Sequence, residues 1–256
     1  MELTVKNKIT WCPGCTNFAI LESFKQAVNE LVVENKLKVE NLVCGAGIGC
    51  HGKMVDYLNL NSFCGLHGRI IPTMTGVKLA NPALTVVAFT GDGDSLSEGM
   101  EHFIHAAKKN SDIKLFLHNN QVFALTTGQF TATSPKGFKG RTTPEGSTEE
   151  PLIPLALSLT AGATFVARTY ALKIKETKEI MKQAMEHKGF ALVEIIQPCI
   201  TFDDTSEFFN NNLEWLDKTY DKYNYQNALQ TLTMSGSKAK CGIFYQINKL
   251  TFEEQI

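Results

Sequence analysis

The sequence predicts an α/β protein with a mostly parallel sheet and helices on both of its faces. Apolar segments typical of strands alternate along the chain with segments of helical periodicity. Two of the apolar segments, NLVCGAGIGC (41–50) and ALTVVAFTGDGD (83–94), run into glycine-rich turns. The 256 residues are 43% hydrophobic, which is enough apolar material for a sizeable core.

Each element follows from the spacing of its apolar residues and from the turns that bound it. The order predicted along the chain is helix 16–34, strand 41–50, strand 83–94, helix 95–109, strand 113–120, strand 162–168, helix 173–187 and strand 190–199. Ser95 and Glu98 match a capping box, which predicts a helix start directly after the second glycine-rich turn.

Two segments break this alternation. Residues 126–150 have little periodicity, and a 25-residue loop of this kind is usually functional or disordered. Residues 203–256 are polar with scattered aromatic side chains. We therefore expect an α/β domain over 1–202 and a C-terminal extension over 203–256 that packs on the core or on a partner subunit.

Charge and composition exclude several classes of partner. A net charge of −1 leaves no basic surface for nucleic acid or for an anionic membrane. Apolar runs such as LTVVAF are too short to span a bilayer, and MELTVKNKIT lacks the apolar core of a signal peptide. The chain is expected in the cytoplasm, where its seven cysteines indicate metal or redox chemistry rather than disulfides.

The segment GDGD, Gly91 to Asp94, combines the features of a phosphate site and a metal site. Its glycines allow close approach to a ligand, and a helix start favours a phosphate group. Asp92 would repel a bare phosphate, but a divalent cation between the two would remove the conflict. The pattern therefore predicts a metal–diphosphate site, and its alternative is an ordinary turn.

Further oxygen ligands follow the next strand. Asn119 and Asn120 end the strand predicted over 113–120, and Asn120 lies 28 positions after Asp92. That interval holds a strand, a helix and a returning parallel strand, so Asp92 and Asn120 would lie side by side at the carboxyl edge of the sheet. Mg²⁺ prefers such oxygen ligands.

The spacing of GDG and NN resembles the thiamine-diphosphate motif, and the resemblance extends further. The motifs WCPGC, GIGCHGK, LHGRIIPTMTGVKLANP, GDGD, NNQVFALTTGQF and QPCITF occur in this order. Together they resemble the β subunits of 2-oxoacid:ferredoxin oxidoreductases. That family interconverts a 2-oxoacid and coenzyme A with an acyl-CoA and CO₂, and it passes the electrons to ferredoxin.

The resemblance implies a thiamine-diphosphate-binding fold with thiamine diphosphate, Mg²⁺ and a [4Fe–4S] cluster as cofactors. Asp92, Asn120 and the Val122 carbonyl would hold the Mg²⁺. His67 and Arg69 would act in catalysis. The residues expected around the cofactor are Gly49, Cys50, His67, Gly91, Asp92, Gly93, Asp94, Ser95, Asn120, Val122, Leu125 and Thr126. The candidate anchors for a substrate carboxylate are Lys53, Arg69 and Arg141.

The pair Cys12 and Cys15 in WCPGC is compatible with a redox dithiol, a zinc site or an iron–sulfur cluster. A thioredoxin places its pair after a first strand, and no strand of any length is predicted before Cys12. Cys50 and Cys199 occur where loops leave strands, and four thiolates around one point suit a [4Fe–4S] cluster, the role that the resemblance implies. A four-cysteine zinc site stays open. The cysteines expected to be inert are Cys44, Cys64 and Cys241.

The length of the chain leaves no room for the second domain whose glutamate activates the aminopyrimidine ring in thiamine-diphosphate enzymes. An α or αγ subunit is therefore the expected partner, with 2-oxoglutarate or a broad range of 2-oxoacids as substrate. Two other classes stay open: a thiamine-dependent decarboxylase or synthase subunit without electron transfer, and a non-catalytic electron-transfer subunit that carries only a cluster. The four cysteines argue against the first class, and the intact GDG and NN motifs argue against the second.

Overall fold

The computed structural model describes residues 2–234 and 238–256. Its strands are β1 (Leu42–Ala46), β2 (Asn61–Cys64), β3 (Thr85–Gly91), β4 (Lys114–Asn119), β5 (Val122–Phe123), β6 (Gln129–Phe130), β7 (Phe165–Tyr170), β8 (Ala191–Ile196), β9 (Leu213–Trp215) and β10 (Ala239–Gln246). Its α-helices are α1 (Asn17–Val33), α2 (Ile70–Ala80), α3 (Met100–Lys109), α4 (Pro154–Ala161), α5 (Ile174–Glu186), α6 (Ser206–Asn211) and α7 (Tyr225–Thr233).

Within the described residues, one eight-stranded sheet has the order β2-β1-β3-β4-β8-β7-β10-β9. Its neighbouring strands are parallel, except that β10 runs antiparallel to β7. The mostly parallel α/β fold that the sequence predicts is thereby confirmed. The separate hairpin of β5 and β6 follows β4 directly.

Helices cover both faces of the sheet. Alternate residues of a strand point to opposite sides, so one strand supplies apolar side chains to both helical layers. Val87 and Phe89 of β3 face the layer that contains α1 and α5. Val86 and Ala88 of the same strand face the layer that contains α2, α3, α4 and α7. Strands that are apolar on both faces are typical of a parallel sheet sandwiched between helices.

The predicted elements occur near their expected bounds, but the start of α3 differs. The capping box at Ser95 and Glu98 is wrong: a π-helical turn spans Gly93–Ser97, and α3 begins only at Met100. The Ser95 hydroxyl lies 2.6 Å from the Thr90 hydroxyl instead of capping a helix. Gly99 lies between the π-helical turn and α3, and it packs closely against Gly68. A Cβ at Gly99 would lie 2.4 Å from the carbonyl oxygen of Gly68.

The residues expected to form a C-terminal extension, 203–256, add strands to the main sheet. β10 pairs with β7, β9 pairs with β10, and α7 packs against α4. Near the C-terminus, the Asn110 side-chain amide donates to the carbonyls of Lys249 and Leu250. No helix in the described part of the chain is long and apolar enough to cross a membrane.

Candidate cofactor and metal site

The candidate site lies at the carboxyl edge of four strands that are consecutive in the sheet: β1, β3, β4 and β8. Cys50, Asp92, Asn120 and Cys199 each follow the end of one of these strands. Parallel strands end at the same edge, so the fold gathers these four residues there. This is the arrangement that the sequence analysis predicts.

A first cavity at this edge, called the GDG cavity below, contains most of the predicted cofactor residues. The predicted residues that line it are Gly49, Cys50, His67, Gly91, Asp92, Gly93, Asp94, Asn120, Val122, Leu125 and Thr126. Ser95 does not line it, because its side chain is buried against Thr90. Arg69 does not line it either, since its guanidinium donates to the carbonyls of Gly68 and Glu98.

Asp92 has the environment of a cation ligand. Its side chain is 2% exposed, and the hydroxyls of Thr131 and Thr133 both donate to Oδ2, at 2.5 and 2.7 Å. Burial raises the pKa of the Asp92 carboxyl, and the two hydroxyls offset this only in part. A divalent cation at the carboxylate would compensate the buried negative charge, so the residues present fit such an ion.

Asn120 and Val122 form a tight turn beside Asp92. Gln121 between them has a φ of +60°, and the Val122 amide donates to Asn120 Oδ1 at 3.2 Å. The amide of Ala124 donates to the Val122 carbonyl at 2.8 Å. The turn therefore holds both predicted oxygen ligands in the lining of the GDG cavity, and each oxygen keeps a second lone pair for a cation.

A buried chain of hydrogen bonds, which the sequence analysis missed, supports Asp92 from behind. Thr133 Oγ1 also lies 2.9 Å from Asn119 Oδ1, and Asn119 Nδ2 donates to Glu194 Oε1 at 2.7 Å. Arg168 Nε donates to Glu194 Oε2 at 2.8 Å. Buried polar groups of this kind require partners, and here each partner locks the next.

Asp94 connects β3 to the loop that carries Gly68 and His67. The backbone N–H of Gly68 and the hydroxyl of Thr90 donate to its carboxylate, both at 2.8 Å. His67 Nδ1 lies 3.0 Å from Asp94 Oδ1 and His51 Nε2 lies 3.6 Å from Oδ2, neither in hydrogen-bond alignment. Burial opposes ionisation of Asp94, but its contacts with His51, Gly68 and Thr90 outweigh burial and lower its pKa. The carboxylate therefore orients the loop that carries His67.

The two glycines of GDG are required by neighbouring protein side chains. A Cβ on Gly91 would lie 2.8 Å from His51 Nδ1, and one on Gly93 would lie 2.3 Å from Phe123 Cε1. Both contacts are shorter than side chains tolerate. Glycine at these two positions therefore lets His51 and Phe123 pack into the wall of the GDG cavity. The sequence analysis expected the glycines for a different reason, which is close approach of a ligand.

A second cavity, called the cysteine cavity below, is lined by Cys12, Cys15, Cys50 and Cys199. Cys12 and Cys15 are joined by a tight turn, in which the Cys15 amide donates to the Cys12 carbonyl at 3.0 Å. Pro and Gly occupy its central positions, and Gly14 has the positive φ of 80° that a type II turn needs.

Two hydrogen bonds fasten the WCPGC segment to the other two cysteines. The indole Nε1 of Trp11 donates to the carbonyl of Cys50 at 2.7 Å. The hydroxyl of Thr16 donates to the carbonyl of Pro198, the residue before Cys199, at 2.8 Å. The segment is therefore clasped on both sides to the strand ends, and we refer to these two bonds as the clasp.

The environment of Cys15 and Cys50 disfavours free thiolates, so these thiols keep their protons until a metal binds. Burial raises the pKa of Cys50 to about 11, and the nearby Cys15 and Cys199 add to this. Burial also raises the pKa of Cys15, which N–H groups of Asn17 partly offset. No group of three or more His, Cys, Asp or Glu side chains among the described residues is arranged to hold a metal as it stands. A metal would have to draw the four thiols together and displace their protons.

The remaining cysteines lie elsewhere. Cys44 and Cys241 are fully buried in the strands β1 and β10, and Cys64 is exposed on β2 at the sheet edge. Lys53 lines the cysteine cavity and donates to the Thr10 carbonyl. Arg141 donates to the hydroxyl of Thr127, another residue of this cavity.

Sequence reasoning also missed two buried residues that connect Cys15 to the wall of the GDG cavity. His118 lines the GDG cavity, and its Nδ1 lies 2.8 Å from Oδ1 of Asn17. Asn17 Nδ2 in turn donates to the sulfur of Cys15 at 3.6 Å. A signal was present in the sequence, because the asparagine two residues after WCPGC falls on the apolar face of the predicted helix.

Comparison with known proteins agrees with this geometry. Residues 47–195 match the family model of the C-terminal TPP-binding domain of thiamine pyrophosphate enzymes. Residues 199–256 match the model of the C-terminal part of the pyruvate ferredoxin oxidoreductase beta subunit.

Individual relatives cover most of the chain. The 2-oxoacid:ferredoxin oxidoreductase subunit beta of Sulfolobus sp is 39% identical over 96% of this chain and 85% of its own length. The 2-oxoglutarate synthase subunit KorB of Archaeoglobus fulgidus is 39% identical over 75% of this chain and 70% of its own. A solved 2-oxoglutarate:ferredoxin oxidoreductase from Magnetococcus marinus superposes with a TM-score of 0.95 at 36% identity, covering 99% of this chain and 87% of that one. The chain therefore belongs to the family of β subunits of 2-oxoacid:ferredoxin oxidoreductases, and it is an oxidoreductase subunit that works within a larger complex.

Proposed function

We propose that this chain carries the thiamine diphosphate, the Mg²⁺ and a [4Fe–4S] cluster of a 2-oxoacid:ferredoxin oxidoreductase. The observation that carries the proposal is that the GDG cavity and the cysteine cavity share a wall. Both are lined by Cys50, Asn120, Ala124 and Leu125. A cofactor in the first cavity would therefore lie beside a cluster in the second, as electron transfer between them requires.

When bound, thiamine diphosphate supplies the carbanion and electron sink for decarboxylation of a 2-oxoacid, and a [4Fe–4S] cluster accepts electrons singly. In this proposal, Asp92, Asn120 and the Val122 carbonyl hold the Mg²⁺ that anchors the diphosphate. Gly91 and Gly93 keep His51 and Phe123 packed against the cavity wall. The buried hydrogen bonds of Asp92 hold its carboxylate in one orientation before the cation arrives.

The cluster ligands in this proposal are Cys12, Cys15, Cys50 and Cys199. All four line one cavity, and the clasp fixes the segment that carries the first two. Cys44 and Cys241 are excluded by their positions inside β1 and β10. Zinc would satisfy four thiolates as well, but it could not accept the electrons of the family's reaction.

For the substrate, we propose 2-oxoglutarate or a range of 2-oxoacids, with coenzyme A as acyl acceptor and ferredoxin as electron acceptor. The solved relative from Magnetococcus marinus is described with 2-oxoglutarate, coenzyme A and succinyl-CoA bound, which supports this class. Two cations are candidate anchors for the substrate carboxylate. They are Lys53, which lines the cysteine cavity, and Arg141, which lies near it. His67, oriented through Asp94, is the candidate catalytic residue of this chain.

The active site is completed by an α or αγ subunit in this proposal, because residues 47–195 match a TPP-binding domain and thiamine-diphosphate enzymes need a second domain that activates the aminopyrimidine ring. The reducing cytoplasm is the compartment in which seven free cysteines and a cluster fit. Alone, the chain should decarboxylate no 2-oxoacid. Turnover of 2-oxoacids with a dye acceptor by the purified single chain would contradict the two-subunit proposal.

The composition of the anaerobically purified complex tests the function. Visible absorption together with iron, sulfide and thiamine assays should find both a cluster and thiamine diphosphate. Thiamine without a cluster would favour a decarboxylase or synthase subunit that transfers no electrons. A cluster without thiamine would favour an electron-transfer subunit and would contradict the role of the GDG cavity.

A further inference from the structure

A buried asparagine links the cysteine cavity to the GDG cavity. Asn17 is the first residue of α1, its side chain is fully buried, and the helix face around it is otherwise largely apolar. Its Nδ2 donates to Cys15 Sγ at 3.6 Å, and its Oδ1 lies 2.8 Å from His118 Nδ1. A buried amide costs stability unless both of its ends are paired, and these two contacts pair them.

From this geometry, we propose that Asn17 is a positioning residue that raises the reduction potential of the cluster by donating an N–H···S hydrogen bond to Cys15. The inference rests on the proposed function, because it needs the cluster that Cys15 would help to hold. It adds a role for Asn17 and His118, neither of which is a ligand.

The chemistry of the sulfur decides which way the amide points. A cysteine sulfur bound to iron has lost its proton, so it can only accept a hydrogen bond. Asn17 must therefore present Nδ2 to Cys15, which turns Oδ1 toward His118. Oδ1 is an acceptor, so the proton of the neutral imidazole must lie on Nδ1 of His118.

His118 is rigid enough to hold this orientation. It belongs to the central strand β4, and its side chain is 1% exposed. Its Nε2, on the other side of the ring, has no hydrogen-bond partner among the described residues. Since Nδ1 carries the proton, Nε2 is a hydrogen-bond acceptor in the wall of the GDG cavity.

The direction of the effect on the cluster follows from charge. Reduction adds an electron to the cluster and makes its sulfurs more negative, so an N–H donor stabilises the reduced form more than the oxidised form. The bond lies in a buried region of low dielectric, where it is stronger than in water. Removing the donor should therefore lower the potential.

The test is the midpoint potential of the cluster in the anaerobically purified complex, measured by a redox titration that follows the EPR signal. Asn17→Leu keeps the approximate shape of the side chain and removes the donor. We expect its one-electron reduction equilibrium to become about tenfold less favourable, a fall of about 59 mV. Thiamine diphosphate content should stay at the wild-type level.

Two further variants keep the test decisive. Ser23→Ala removes another buried polar side chain of α1, one whose hydroxyl bonds to the carbonyls of Ala19 and Ile174, and its potential should equal that of the wild type. His118→Phe removes the group that holds the amide in place, and it should shift the potential in the same direction as Asn17→Leu. If Asn17→Leu does not retain a cluster, the midpoint potential of His118→Phe alone decides whether the hydrogen bond to Cys15 raises the potential.

The outcomes separate this inference from the proposed function. A wild-type complex without a cluster would overturn the proposed function and this inference with it. A cluster that keeps the wild-type potential in Asn17→Leu, or in His118→Phe where only that variant retains a cluster, would overturn the role of Asn17 and leave the proposed function intact.

Discussion

At the scale of single residues, Asp92 and Asn120 were predictable because each follows a recognisable strand, and the fold places strand ends together. Thr131 and Thr133, which hold Asp92, were not predictable. They lie in the loop over 126–150, whose path depends on its contacts with the sheet edge rather than on any local periodicity. The run TATS offered small hydroxyl side chains, but nothing in the sequence indicated which carboxylate they would reach.

Thr133 provides a test of how Asp92 is held. Thr133→Val keeps the shape of the side chain and removes the hydroxyl that contacts Asp92 and Asn119. A hydrogen bond to a charged group contributes about 1.5 kcal/mol or more, so the Mg²⁺ concentration for half-maximal thiamine diphosphate binding should rise about tenfold. Titration calorimetry with Mg²⁺ at fixed thiamine diphosphate measures this.

Two controls accompany Thr133→Val. Thr133→Ser restores the hydroxyl and should bind Mg²⁺ nearly as the wild type does. Thr142→Val changes an exposed threonine of the same loop and should have no effect. If Thr133→Val and Thr142→Val bound Mg²⁺ equally well, Thr133 would have no part in the metal site.

At the scale of elements, the helices and strands that the sequence predicted lie within a few residues of their expected bounds because their apolar periodicity is strong, whereas α2 and α4 were not predicted. The helix over 95–109 is the exception. Its first turn is set by close packing of Gly99 against Gly68 and by the bond between Ser95 and Thr90, which are tertiary contacts that override a local capping signal. The N-terminal segment has no periodicity either, and its position depends on the clasp.

Breaking the clasp should loosen the cysteine cavity without touching a ligand. In the double variant Trp11→Phe with Thr16→Val, the segment that carries Cys12 and Cys15 loses both of its bonds to the strand ends. We expect a cluster that assembles with lower occupancy and bleaches several-fold faster in the presence of a chelator. Absorption at the cluster band over time measures this, and Trp215→Phe on β9 is the control that should behave as the wild type.

At the scale of the whole molecule, the sequence predicted the parallel sheet and the shared edge of β1, β3, β4 and β8. It did not predict that β9 and β10 extend the same sheet, because residues 203–256 are polar and lack an alternating pattern. β10 is held by its pairing with β7, and the C-terminal residues dock at the amino edge of the sheet near Asn110. Contacts distant in sequence determine this part of the fold.

A buried histidine at that edge makes the stability of the molecule depend on pH. Burial, with the nearby charge of Lys114, lowers the pKa of His187 to about 4. The unfolded chain binds a proton at this residue below about pH 6.5, while the folded chain does so only near pH 4. The contribution of His187 is therefore complete above about pH 6.5 and is lost as the pH falls from there to about 4.

Urea unfolding at a series of pH values between 7.5 and 4.5 measures this dependence. His187→Gln should lose less free energy of unfolding over that range than the wild type does. His105→Gln, at an exposed position on α3, should follow the wild type. Identical curves for His187→Gln and the wild type would show that another group accounts for the loss.

The central claim is that four cysteines from three separate parts of the chain hold one cluster beside the diphosphate site. The most direct test compares the EPR signal of the reduced cluster in Cys199→Ser and in Cys44→Ser, both purified anaerobically with the partner subunit. Cys199→Ser should weaken or lose the signal while thiamine diphosphate binding stays nearly intact, and Cys44→Ser should keep the signal. A normal signal in Cys199→Ser together with a lost signal in Cys44→Ser would contradict the ligand set and the sheet-edge argument that selects it.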